Sequence, residues 1–105
     1  MSHPSKQKGN RYEREVVDKA KEYGLDAERA WGSNGKAMGF TEDVDCVIRY
    51  GVDKEFLTQL KRRKAISSYL KPSVNVDAQI FREDRGESYA LIRLNDLLEL
   101  LASIK

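Results

Sequence analysis

Two short apolar runs joined by a tight turn constrain this chain more than any other feature. Residues 43–50 carry Val44, Cys46, Val47, Ile48 and Tyr50, and residues 54–61 carry Phe56, Leu57 and Leu60. β-Branched and aromatic residues in such runs suit a pleated, half-buried strand, and Gly51-Val52-Asp53 between them supplies a turn. The pair is predicted to form a β-hairpin. In that hairpin Gln59 and Lys61, two positions apart, point to one face, while Leu60 turns to the core.

The remaining periodicity arranges itself around the hairpin. Tyr12, Val16, Val17, Ala20 and Tyr23 recur at helical steps, which predicts a helix over residues 9–23 with Asn10 as N-cap and Gly24 as its stop. Residues 25–31 read as a short strand, and residues 32–39, with Gly32, Gly35 and Gly39, read as a loop. Residues 65–70 read as a short helix ending near Pro72. Residues 77–82 and 88–94 read as two more strands, joined by the polar residues 83–87. A last helix is predicted over residues 95–104, capped by Asn95, with Leu97, Leu98, Leu101 and Ile104 on its buried face. The order predicts an α/β fold: a mixed sheet of about five strands flanked by helices.

At 105 residues the chain has material for one domain, predicted over residues 9–105 behind a flexible basic leader at 1–8. No apolar run approaches the roughly 20 residues of a membrane span, and the polar N-terminus lacks the apolar stretch of a signal peptide. The single Cys46 leaves no intrachain disulfide and no multi-cysteine zinc site, so a reducing, cytoplasmic setting is expected. Cys46 itself reads as a core residue. Trp31 reads as core or, from its place beside the glycine-rich loop, as a stacking platform for a base or sugar.

The net charge of +2 conceals an uneven distribution. Residues 54–71 carry Lys54, Lys61, Arg62, Arg63, Lys64 and Lys71 against Glu55, a local charge of +5. Residues 1–14 reach +3 through Lys6, Lys8, Arg11 and Arg14 against Glu13, whereas residues 37–53 stand at −3. Basic segments around an acidic one suit a protein that neutralises phosphate with one set of groups and holds a divalent cation with the other.

Four residues fit that chemistry together: Glu13 on the first helix, Asp45 at the entrance to the first hairpin strand, and Gln59 and Lys61 on the second. Hydrolysis of a phosphodiester uses a carboxylate-held metal to polarise the phosphate and activate water. A nearby cation stabilises developing negative charge. Asp45 is the expected principal ligand, with Glu13 and the Gln59 amide oxygen completing the set and Lys61 orienting water.

The same residues resemble a known pattern. An Asp, a hairpin and then carboxylate-x-Lys is the signature of the PD-(D/E)XK nucleases, and the chain is most similar to the archaeal-type Holliday junction resolvases. The resemblance rests on Lys8-Gly9-Asn10-Arg11-Tyr12-Glu13-Arg14-Glu15, then Arg29-Ala30-Trp31-Gly32-Ser33, then Val44-Asp45-Cys46-Val47, then Leu57-Thr58-Gln59-Leu60-Lys61. It covers about the first two-thirds of the chain. It implies a restriction-endonuclease-like fold and a homodimeric Mg²⁺-dependent endonuclease, with Mn²⁺ able to substitute, that cuts branched DNA. It also implies that Glu13, Asp45, Gln59 and Lys61 form the active site and that Arg29 and Ser33 position the DNA backbone. Lys8, Arg11, Arg14, Lys36, Arg62, Arg63 and Lys64 are the further expected DNA contacts. Gln59 departs from the resolvase pattern, which has Glu there. The amide keeps an oxygen ligand but removes a negative charge, which Glu42 or Asp43 would be placed to restore. Another DNA nuclease on the same fold, restriction-like or nicking, and a non-catalytic nucleic-acid-binding module with a degenerate metal site are the alternative readings.

Overall fold

The first helix begins earlier than its periodicity suggests. The computed structural model describes residues 4–30 and 39–105, with side chains from Gly9 onward, and α1 runs over Pro4–Glu22. Proline is acceptable at the first helical position, where its missing N–H is not needed, so Pro4 opens the helix. Residues 4–8, expected in the leader, are therefore helical, and Asn10 lies inside the helix rather than capping it. The C-terminal stop falls where expected. Gly24 adopts φ 81°, and the Leu25 N–H reaches back to the Ala20 carbonyl at 3.1 Å while the Gly24 N–H reaches Lys21 at 2.9 Å. This is the paired-bond termination that a left-handed residue allows.

The chain then forms β1 (Asp26–Arg29), β2 (Cys46–Tyr50) and β3 (Lys54–Thr58), an antiparallel sheet with β2 in the centre. The β2–β3 hairpin is as predicted, with Cys46 opposite Thr58 and Tyr50 opposite Lys54. Its strands are shorter than the apolar runs, so Asp45, Gln59 and Lys61 lie just past the ladder's open end. On one face, Cys46 and Ile48 pack with Val17, Ala20, Leu25 and Ala27 and with Leu98 and Leu101 of the last helix. Tyr23, Tyr50, Phe56, Leu60, Leu94 and Leu97 close around that cluster. On the other face, Arg49 bridges the strands through Asp26 (3.1 Å), Glu28 (2.9 Å) and Glu55 (3.5 Å).

Two corrections concern the second half. Strands β4 (Ala78–Arg82) and β5 (Ser88–Ile92) pair antiparallel as a separate two-stranded sheet. Among the described residues the sheet is thus not one mixed sheet of five strands but two antiparallel sheets of three and two. Residues 65–70, expected to be helical, form turns. The Ser67 hydroxyl accepts the Tyr69 N–H at 3.3 Å, and the Ser73 hydroxyl accepts that of Asn75 at 3.3 Å. Serine side chains here offer the backbone an alternative to helical pairing. With no crossover helix after β3, nothing returns β4 alongside the first sheet in parallel.

Helix α2 spans Leu94–Ser103 and presents Leu98 and Leu101 to the core. Its N-cap position is Arg93, not Asn95, and Ile104 is 41% exposed rather than buried. The Arg93 guanidinium donates to the carbonyls of Ser73 (2.7 Å), Val76 (3.0 Å) and Pro72 (3.4 Å). It thereby ties the entry of α2 to the turns that precede β4.

Candidate functional site

The ladder of the first sheet ends at a carboxylate. The Asp45 N–H donates to the Thr58 carbonyl at 2.8 Å, and its carbonyl accepts the Ala30 N–H at 2.9 Å, so both neighbouring strands hold its backbone. Continuing the β2–β3 register by one position sets Asp45 opposite Gln59. The Asp45 side chain then takes over from the ladder: its Oδ2 accepts the Leu60 N–H at 2.7 Å. A carboxylate receiving a backbone N–H makes a charge-assisted bond, which fixes its rotamer. Leu60 is half-buried against the core, as its alternation predicts, and anchors the segment from below. Gln59 and Lys61, on either side of it, are exposed.

Glu13 approaches the same end of the sheet from α1, on the side of Cys46 and Arg29. Val16, Val17 and Ala20, on the same side of the helix, are buried, which carries Glu13 to the rim of the sheet. There its Oε1 accepts a bond from Arg29 Nε at 3.2 Å, with both side chains about 15% exposed or less. Arg29 is the β1 partner of Cys46, so helix, edge strand and central strand meet at this point. The Cys46 thiol donates to the Glu13 carbonyl at 3.8 Å. Its pKa is pushed up to about 12, first by burial and then by the negative charges of Glu13 and Asp45, with Arg29 opposing. Both carboxylates and the guanidinium thus act on one buried thiol, which is the structural link between them. A neutral, fully buried thiol is inert, in keeping with its reading as core.

The oxygen donors are of the hard type that Mg²⁺ takes: the Asp45 and Glu13 carboxylates and the Gln59 amide. Magnesium is commonly held by one or two carboxylates plus waters and substrate phosphates. Among the described residues no group of three or more His, Cys, Asp or Glu comes together as a ready-made cage. Glu42 and Asp43 are exposed in the turn before β2, and the Thr41 hydroxyl donates to the Asp43 carboxylate.

The basic residues separate into groups. Arg11 and Arg14 on the outer face of α1 share a groove of ≈ 460 Å³ with Arg62, which follows β3. Glu15, Asp18, Lys19 and Glu22 line its remainder toward the C-terminal half of the helix. These arginines, expected on DNA, come from two segments far apart in the chain that the fold brings together. Arg63 and Lys64 are exposed. Lys8 lies in the first turns of α1, and Trp31, Ser33 and Lys36 lie outside the described residues. Arg29 is drawn inward to Glu13, a partnership the sequence did not signal.

Comparison with protein-family models, with curated proteins and with solved structures returned no match to this chain. No helix among the described residues is long and apolar enough to cross a membrane.

Proposed function

We propose that this chain is a Mg²⁺-dependent, structure-selective DNA endonuclease of the PD-(D/E)XK type, acting on four-way junctions as a homodimer. The observation that carries the reading is the seat of Asp45. Its carboxylate is pinned to the backbone N–H of Leu60, between Lys61 and Gln59, which occupy the positions of the signature's Lys and, with an amide in its place, its carboxylate. When bound, the metal supplies a Lewis acid for the phosphate and lowers the pKa of the attacking water. The protein's own contribution is placement. Asp45 presents its second oxygen and Glu13 a second carboxylate, while Gln59 adds a neutral oxygen. Lys61 stands within the same strand extension to orient water and offset charge on the phosphate. Arg11, Arg14 and Arg62, which share a groove with Glu15, Asp18 and Glu22, offer three guanidinium groups to flanking backbone.

A homodimer suits the substrate, because two active sites related by a two-fold axis match paired cuts across a junction. The test is cleavage of labelled four-way junction, flap, linear duplex and single strand with Mg²⁺ or Mn²⁺. Symmetrical junction cutting that disappears in Asp45→Ala and in Lys61→Ala is expected. Cutting that survives Asp45→Ala overturns the site, and binding without cutting in either metal leaves the non-catalytic module as the reading. Gln59→Glu returns the missing charge to the donor set, so it is expected to keep or tighten Mg²⁺ binding in titration calorimetry.

A further inference from the structure

Glu13 does not stand open to solvent awaiting a cation, because Arg29 holds its Oε1 at 3.2 Å. Both side chains are about 15% exposed or less, so the pair is shielded and the attraction exceeds that of a surface ion pair. A partly buried carboxylate without a partner is costly, and the guanidinium supplies one from the edge strand. If Glu13 is a metal ligand, as the proposed function has it, the same guanidinium is a positive charge competing for its oxygen. A cation already bonded to a ligand oxygen and a metal seeking that oxygen compete directly.

We propose that Arg29 is an internal counter-cation that keeps Glu13 ordered in the metal-free protein and yields it when a divalent ion binds. Arg29 is thus a positioning residue that acts through Glu13, and the inference rests on the metal-dependent reading above. The arrangement has a use on a site that carries Gln59. With one fewer fixed negative charge, the site holds its metal weakly until DNA phosphate adds charge. The displaced guanidinium then turns its charge toward that phosphate, so metal and DNA binding reinforce one another.

The test is Mn²⁺ binding to the DNA-free protein, followed by electron paramagnetic resonance. Arg29→Gln, which keeps an N–H donor and removes the charge, is expected to bind Mn²⁺ about tenfold more tightly than wild type. Arg29→Lys, which keeps the charge, is expected to bind within about twofold of wild type. The metal-free Arg29→Gln protein should melt at a lower temperature, and added Mn²⁺ should raise its melting temperature by more than it raises that of wild type. Arg29→Gln that is folded but binds Mn²⁺ no more tightly than wild type overturns the proposal. If that variant does not fold, the wild-type protein itself decides. Its Arg29 Nε–H resonance should shift on saturation with Mg²⁺, and a resonance that stays in place also overturns the proposal. Asp45→Ala separates the two readings: unchanged Mn²⁺ binding in that variant removes the metal site altogether, whereas lost binding there with no gain in Arg29→Gln removes only the role of Arg29.

Discussion

Asp45 has two separable duties, one structural and one chemical. Oδ2 terminates the sheet by accepting the Leu60 N–H at 2.7 Å, and in the proposed function the remaining oxygen is the one left to a metal. Asp45→Asn retains an acceptor for Leu60 and discards the charge, whereas Asp45→Ala also leaves that N–H without its partner. Leaving a partly buried donor unmade costs about 1–3 kcal/mol. Urea unfolding is therefore expected to place Asp45→Ala about 1–3 kcal/mol below wild type and Asp45→Asn within about 1 kcal/mol of it, with both inactive in junction cutting. Cys46 offers a second residue-scale prediction. Burial and the flanking carboxylates raise its pKa from 9.0 to about 12. The unfolded chain ionises first as pH rises, so the unfolded state binds fewer protons than the native state over that interval and stability falls. The contribution is fully present below about pH 9 and disappears toward pH 12. Relative to Cys46→Ala, wild type should lose additional stability across that window, measured as urea midpoints at each pH.

At the scale of elements, the hinge between α1 and β1 rests on one glycine. Gly24 takes φ 81° with open space where a Cβ would stand, so an added methyl meets no neighbour and the penalty is purely conformational. Gly24→Ala is expected to cost about 1 kcal/mol, read as a lowered melting temperature with an unchanged circular dichroism spectrum. This stop was legible in the sequence because the left-handed termination has a chemical signature, as was the β2–β3 hairpin, whose apolar runs bracket a turn. The start of α1 was not, since proline bars a helix interior but fits its first turn, and only the placement of the chain tells the two apart. The cap of α2 was missed for a tertiary reason: Arg93 satisfies carbonyls at residues 72, 73 and 76, and that engagement sets where the helix begins. Division into two sheets was equally invisible, because strand periodicity reports which face is buried and not which strand lies alongside. At the site, the hairpin register was legible as far as Asp45, whose backbone meets Thr58 and whose carboxylate meets the Leu60 N–H. The Glu13–Arg29 pair depends on how α1 crosses β1, which no local pattern encodes.

At the scale of the whole molecule, a net charge of +2 is a poor description of the surface a nucleic acid would meet. Arg11 and Arg14 come from the basic N-terminal segment and Arg62 from the basic segment after β3, and the fold sets them around one groove. Glu15 and Asp18 lie one turn beyond Arg11 and Arg14 in the same groove, and Lys19 and Glu22 pair at 3.7 Å near its end. Three arginines gathered from two segments can release counterions from one stretch of backbone, and each phosphate neutralised adds nearly one unit to the salt dependence of binding. Reversing one of them should weaken affinity for every DNA shape and flatten that dependence by about one unit or more. The comparison is Arg62→Glu against Arg82→Glu, the latter exposed on β4 and outside the groove. Fluorescence anisotropy over a salt series, with four-way junction and linear duplex in Ca²⁺ to prevent cutting, should show a shallower slope of log Kd against log salt for Arg62→Glu alone. Equal slopes for both variants would mean that the groove does not carry the backbone and that the basic residues act only through the overall field of the protein.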